Sequence, residues 1–591
     1  MVTIGDTPVD MRYGAPGPAT HLRLEKINAA AFNELSAAIH EGGAVASFEL
    51  NHPGRMANQK RNLNGEAPIG PMEWDRPDGV HVQAATLEQL EYTADQYAAA
   101  AAFLKQCGFD MCILHGGHGW LLGQFLSPAT NQRTDEFGGS RENRARFPLM
   151  VIERVRERVG ADFLIDYRIS GDELQENGQT IEDTIAFIKA AEDKLDMVHI
   201  SAGLDTNMHQ AIITHPHSYL PRGVNVKYAA AVKAAGVKIP VTTVGAINTP
   251  DQAEQILVEG KADCIAMCRA QIADPHWANK ARLGRADEIR PCIRCHNACF
   301  TMARYEGTAN IQDLGDAIHM ARCALNPTTM QTKKYRIVKT EKPKRIAIIG
   351  GGIGGMESAL VLAERGHQPT IFEKSDILAA APSYKESDRQ LIEWYRRKVA
   401  QAGIPVKLNT EVKCPDELTG FDEIIIATGS SPRRLPVPGI ERAMEATEYL
   451  SGRDVGENVI IIGGGLTGCE IAYDLILKGK KPQIVEMKND LIAVKGVCLA
   501  NSSFLREMLA FKKTPVYLNT SLVSINEDGV TVKGQDGNTF DLKGDSVIVS
   551  VGYKPAPLSE KRAHVHLVGD ANGVGNLRTV IWRAWDVCMK L

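Results

Sequence analysis

The chain has 591 residues, too many for one core and enough for about three or four domains. Hydrophobic residues make up 44% and charged residues 23%, a globular composition that excludes wholesale disorder. Lys plus Arg number 67 against 71 Asp plus Glu, and the net charge of −4 gives no electrostatic case for nucleic acid or an anionic membrane as partner. No apolar run reaches the roughly 18–20 residues of a membrane helix. The start, Met1 to Asp6, lacks the basic and apolar regions of a signal peptide, so the cytoplasm is the expected compartment.

Residues 1–285 alternate short apolar runs with longer amphipathic stretches. The runs are 2–4, 44–50, 109–114, 163–169, 196–201, 239–244 and 263–267, and between them lie helix-like segments at 29–40, 87–107, 144–159, 181–195 and 250–258. Continuous apolar strands alternating with helices imply a parallel sheet covered by helices. A closed (β/α)8 barrel takes eight such units. Seven are legible here, and the first strand begins at Met1 itself, so the expectation is a TIM-type α/β barrel with its first strand missing, from an incomplete chain or a misplaced start rather than an open barrel.

Residues 286–335 break this rhythm and carry Cys292, Cys295, Cys299 and Cys323. Three thiolates at CxxCxxxC with a distant fourth suit structural zinc or a 4Fe–4S centre. The other eight cysteines are single and read as small buried hydrophobes. A basic linker follows to Lys344.

Two similar units come next, Arg345 to Glu373 and Asn458 to Glu486, each running apolar strand, glycine-rich turn, helix, second strand, acidic residue. Gly350, Gly352 and Gly355 in the first, and Gly463, Gly465 and Gly468 in the second, allow a tight turn and let backbone N–H groups approach a pyrophosphate. Glu373 and Glu486 stand where a carboxylate accepts ribose hydroxyls. Two such folds in tandem suggest two dinucleotides.

The stretch Ile424 to Ser430 resembles the crossing segment of two-dinucleotide flavoprotein reductases, and Val568-Gly569-Asp570-Ala571 resembles their C-terminal motif. That resemblance implies FAD in the first fold, with Asp570 on its sugar-like chain, and a nicotinamide nucleotide in the second. The implied parts are a barrel at 1–285, an iron–sulfur segment at 286–335, an FAD-binding part at 343–455 and 551–591, and an NAD(H)-binding part at 456–550. Glu486 repels a 2′-phosphate, which favours NADH, although Lys488 beside it could offset the carboxylate. With flavin folds flanking them, the four cysteines are expected to hold 4Fe–4S.

In the barrel, His115-Gly116-Gly117-His118-Gly119-Trp120, then Gln124 to Pro128 and Asn131 to Arg144, closely resemble the old yellow enzyme family, and the whole chain resembles its multidomain branch, which includes 2,4-dienoyl-CoA reductase, 2-enoate reductase and trimethylamine dehydrogenase. The resemblance implies FMN at the C-terminal mouth of the barrel. Glu49 stands where the family usually has Gln against the flavin pyrimidine, and it donates a hydrogen bond only when protonated. Arg168 matches the arginine near the flavin N1–C2 region. Gly245 and Arg269 match the phosphate loops, with Cys268 in place of the common Gly. His115 and His118 match the pair that grips a substrate carbonyl. Trp120 replaces a proton-delivering Tyr and cannot act as an acid. His209 resembles a second acid of the dienoyl-CoA reductases.

The expected function is an NADH-dependent ene-reductase that moves electrons from NADH through FAD and 4Fe–4S to FMN and then to a small unsaturated substrate, working as a homo-oligomer. The alternatives are an amine dehydrogenase delivering electrons to a carrier protein and a redox-inactive flavin-binding subunit.

Overall fold

Seven strands of the barrel part run parallel and lie side by side in chain order in the computed structural model: β1 (Val2–Pro8), β2 (Ala46–Asn51), β3 (Met111–His115), β4 (Leu164–Ser170), β5 (Met197–Ser201), β6 (Val241–Val244) and β7 (Cys264–Ala266). The structure describes residues 1–16, 23–205, 213–300, 321–380, 385–493 and 497–591. These fall into two compact units, Met1–Met267 and Cys268–Leu591. All seven apolar runs are strands, which is the barrel architecture with β1 and β7 at the two ends of the sheet.

Each strand presents alternate residues to the helices and to the barrel interior. On β2, Phe48 packs against Phe32 and Phe109 on the helix side. Its neighbour Glu49 points inward. The helices cover the sheet from outside at Ala29–Glu41, Leu87–Gln106, Arg141–Val159, Ile181–Ala191, Val226–Ala234 and Pro250–Val258. Thr86 and Gln89 form a reciprocal cap at the start of the second of these, and Thr180 and Asp183 do the same for the fourth. The helix expected from Arg144 starts at Arg141, because Ser140 accepts a hydrogen bond from the backbone of Asn143 and caps it there. Val226–Ala234 is not apparent in the sequence pattern.

The second unit holds two five-stranded parallel sheets. In one, the order is Val406–Lys407, Gln368–Phe372, Arg345–Ile349, Glu423–Ile426, Val565–Leu567; in the other it is Met444–Glu445, Ser546–Val549, Asn458–Ile462, Lys481–Val485, Val516–Tyr517. The chain crosses between them at Ser430–Pro432 and returns antiparallel at Tyr553–Pro555. The second fold is thus inserted in the first. Met444–Glu445 pairs with the inserted sheet, so that strand goes with the second fold rather than the first. The inserted fold also carries an antiparallel sheet of Ser521–Asn526, Gly529–Lys533 and Thr539–Lys543.

Candidate functional site

At the C-terminal end of the barrel strands, Glu49, His115, His118 and Arg168 meet. Arg168 donates from Nη1 to Glu49 Oε1 over 2.9 Å, and the same oxygen lies 3.1 Å from His115 Nδ1. His115 Nε2 and His118 Nδ1 are 2.8 Å apart, and His118 Nε2 is 2.8 Å from Ser201 Oγ. Arg168, Glu49, His115, His118 and Ser201 thus form one chain of polar contacts across β2, β3, the loop after it, β4 and β5, hydrogen-bonded at every link except the close approach of Glu49 to His115. Each histidine is buried and has its two ring nitrogens beside protein groups. His118 adopts a left-handed backbone (φ 56), fixed by its amide donating to Ser170 Oγ.

Burial pushes the Glu49 carboxyl above the ordinary carboxylate range; the Arg168 charge pulls it back, and Asp6 and Asp205 push it up again. Toward Arg168 the Glu49 carboxylate accepts, and only on protonation would it donate as the family's glutamine does. Burial works against the Arg168 charge, and Glu49 more than restores it. Burial keeps His118 well below its ordinary range, with Arg168 and His115 acting in the same direction.

One layer deeper sit two groups that the motif reading overlooks. Asp166 on β4 is fully buried, and neither carboxylate oxygen has a hydrogen-bond partner among the described residues; His199 Nδ1 on β5 lies 3.8 Å from Asp166 Oδ2. Burial pushes the Asp166 carboxyl up to about 8, with Glu49 adding to the shift and Arg168 opposing it. An aspartate inside the apolar run Leu164 to Ile169 is the signal that could have flagged it.

The Arg168 Nε atom and both polar atoms of buried Asn225 have no hydrogen-bond partner among the described residues. Gly245 follows β6 with φ +127, and an added Cβ there would lie 2.7 Å from Asn225 Nδ2. Orphaned donors beside a residue that must stay small fit a flavin edge and its phosphate. Arg269 belongs to the second unit, where it opens the short helix Arg269–Ala273 behind exposed Cys268, with Nη1 donating to His296 Nε2 over 2.5 Å. His209 lies outside the described residues. Trp120 is half-buried at the start of Leu121–Leu126, its ring 6.1 Å from that of His115.

The two dinucleotide turns are built alike. Gly350 and Gly463 have φ +106 and +110, and a Cβ on Gly355 or Gly468 would stand 2.0 or 1.9 Å from the carbonyl oxygen of Gly350 or Gly463. Gly352 and Gly465 precede the helices Ile353–Glu364 and Leu466–Leu477, with open space where a Cβ would be. Glu373 accepts from Gly351 N at 2.7 Å and Glu486 from Gly464 N at 2.6 Å, so both carboxylates are tied to the turn they serve. Lys488 gives its backbone N–H to Glu486 but its ammonium to the Ala493 carbonyl, which turns that charge away from the carboxylate. Asp570 accepts from Ser430 Oγ at 3.1 Å and from Gly575 N at 3.0 Å.

The four cysteines of the intervening segment feel one another's charge. Burial pushes the Cys295 thiol up to about 12 and the Cys323 thiol up to about 11, and in each case Cys292 adds to the shift; Cys299 is raised further, by burial and then by Cys295. Between Cys292 and Cys299 the backbone is left-handed at Arg294, His296 and Ala298. Such alternation turns successive N–H groups to one side and makes a concavity suited to an anionic centre, including iron–sulfur sites. Leu325 N donates to Cys323 Sγ at 3.4 Å. Among the described residues no three His, Cys, Asp or Glu side chains are set closely enough to hold one metal ion.

A family model described as the NADH:flavin oxidoreductase / NADH oxidase family matches residues 22–288, and one described as pyridine nucleotide-disulphide oxidoreductase matches 322–419 and 414–574. Cinnamate reductase of Clostridium sporogenes is 32% identical over 95% of this chain and 86% of its own length. NADH oxidase of Thermoanaerobacter brockii is 33% identical over 100% of this chain and 92% of its own. The structure of 2-naphthoyl-CoA reductase with 2-naphthoyl-CoA superposes with a TM-score of 0.89 at 27% identity, covering 100% of this chain and 92% of that one.

Proposed function

This chain belongs to the NADH:flavin oxidoreductase / NADH oxidase family, and we propose that it is an NADH-dependent ene-reductase that saturates the activated C=C bond of an enoate, enone or enoyl-CoA. The observation that carries this reading is the joined Arg168–Glu49–His115–His118 site at the mouth of a flavin-type barrel. Bound at the turns of Gly350 and Gly463, FAD and NADH would supply hydride chemistry, a 4Fe–4S cluster on the cysteines would supply one-electron transfer, and FMN in the barrel would supply the hydride for the alkene.

The protein's own part is electrostatic and acid–base. Arg168 supplies a fixed positive charge where a reduced flavin edge gathers negative charge. His115 and His118 polarise the conjugated carbonyl, and one group must give a proton to the second alkene carbon. Trp120 has no acidic proton, so the proton comes from the Glu49–His115–His118 chain or from His209. Gly245 would leave room for the FMN phosphate at the end of β6. Cys292, Cys295, Cys299 and Cys323 would hold the cluster. An intact second dinucleotide turn with Glu486 in place favours NADH entry over amine oxidation, which needs no nicotinamide site. The reading also includes the cytoplasm as compartment and a homo-oligomer as assembly; no disulfide joins any of the twelve cysteines, and no helix among the described residues is long and apolar enough to cross a membrane.

Anaerobic turnover with NADH against a panel of enoates, enones and enoyl-CoA thioesters tests the reading, with consumption of an alkene expected. Oxidation of amines without alkene reduction would overturn it. Nucleotide choice is a separate prediction. Because Lys488 is turned to Ala493, Glu486 faces a 2′-phosphate unmasked, and a clash of roughly 1.4 kcal/mol changes preference about tenfold. NADH should therefore exceed NADPH in kcat/KM by about tenfold or more, and Glu486→Gln should narrow that ratio.

A further inference from the structure

Arg578, the second residue of the C-terminal helix Leu577–Cys588, is 1% exposed, and among the described residues none of its three guanidinium nitrogens has a hydrogen-bond partner. Its Cζ lies 5.9 Å from the centre of the Trp582 ring, a contact far too weak to offset burying a full charge. A buried guanidinium without a counter-charge costs several kcal/mol, so a negative group must face this position in the working protein.

The helix packs on the cysteine segment. Trp582 Nε1 donates to the Cys323 carbonyl at 3.0 Å, and Leu577, Trp582, Cys295 and Cys323 share one apolar core. Four cations feel these thiols, and three of them already have partners. Arg290, coupled to Cys323, has Glu357 Oε1 at 3.6 Å. Lys385, coupled to Cys295, has Glu470 at 2.5 Å. Arg269, coupled to Cys299, is held by His296. Arg578 is the fourth: burial pulls its guanidinium down to about 10, and Cys295 is the one group that pulls it back.

We propose that Arg578 is the buried counter-charge of the iron–sulfur cluster and raises its reduction potential. The inference rests on the cluster assigned above. One electron arrives at the cluster from the NADH-reduced flavin, no bond to the protein forms or breaks and no proton moves. The reduced cluster carries one more negative charge than the oxidised one, so a fixed cation in a low-dielectric setting stabilises the reduced form. Arg578 acts through this field and touches no substrate.

An anaerobic redox titration of the holoenzyme followed by electron paramagnetic resonance tests this, after iron, sulfide and FAD contents are measured for each variant. Arg578→Gln should keep the cluster but lower its midpoint potential by at least tenfold in the one-electron equilibrium constant, about 59 mV. Arg578→Lys should stay near the wild type, since it keeps the charge. Arg578→Met removes the charge while filling the apolar space, and it serves the same comparison if the glutamine variant does not fold. An intact cluster with an unmoved potential in the uncharged variants overturns the proposal alone. So does selective loss of FAD at unchanged cluster potential, which would make the flavin pyrophosphate the partner of Arg578. Wild-type protein purified anaerobically without iron would overturn the cluster itself and this proposal with it.

Discussion

Cys292→Ala should leave the reduction of FAD by NADH intact and cut alkene reduction to less than about one-hundredth, a loss of more than about 2.7 kcal/mol at 1.36 kcal/mol per factor of ten. Alanine is preferred to serine because a serine alkoxide can still ligate iron. Hydride transfer to FAD needs the two dinucleotide turns, whose glycines and carboxylates lie on strands remote in sequence from Cys292. Electrons leaving FAD for the barrel have to cross the cysteine segment if the cluster is their route. The backbone of that segment is left-handed at Arg294, His296 and Ala298. With one of four ligands gone, the strained loop loses the centre that justifies its conformation. Stopped-flow reduction by NADH, a dye-reduction assay with an artificial acceptor, iron content and alkene turnover together separate these effects. Wild-type alkene turnover in an iron-depleted variant would show that electrons travel by another path.

The barrel strands are legible because a parallel strand buried on both faces reads as an apolar run, as Met111 to His115 does. The strands Ser521–Asn526 and Thr539–Lys543 carry exposed residues at seven of their eleven positions and leave no such trace. The dinucleotide turns are legible for a different reason. Backbone must pass within contact distance of backbone at Gly355 and Gly468, and only glycine allows it. What sequence hides is charge pairing over distance. Glu49 and Arg168 are 119 residues apart, and nothing local shows that one carboxylate oxygen serves both Arg168 and His115. Arg578 is hidden too, because an arginine in the first turn of an amphipathic helix ordinarily faces solvent.

Asp166→Asn should stabilise the protein at pH 8 and leave it nearly unchanged near pH 4. The folded carboxyl holds its proton to about 8, against an ordinary 3.8 in the unfolded chain. Between those values the unfolded chain has released a proton that the folded one retains, so stability falls as pH rises. The contribution is complete below about pH 4 and is lost as pH passes through about 8. At about 1.4 kcal/mol per unit, a span of roughly four units is worth on the order of 5 kcal/mol. Asparagine is neutral at every pH and removes that slope. The surrounding charges explain why the site keeps the proton. Arg168 is the cation coupled to both Asp166 and Glu49, and Glu49 already binds its Nη1. His199 is held neutral, mainly by burial and then by the Arg168 charge, and stands 3.8 Å away without forming an ion pair. A second ionised carboxylate would leave net negative charge beneath the position where a reduced flavin edge needs a positive one. Urea unfolding of both proteins at pH 5 and pH 8 reads the effect as a difference in midpoint that grows with pH. Parallel loss of stability in wild type and Asp166→Asn between those pH values would mean that Asp166 is already ionised in the folded barrel, and that a cation or ordered water shields it.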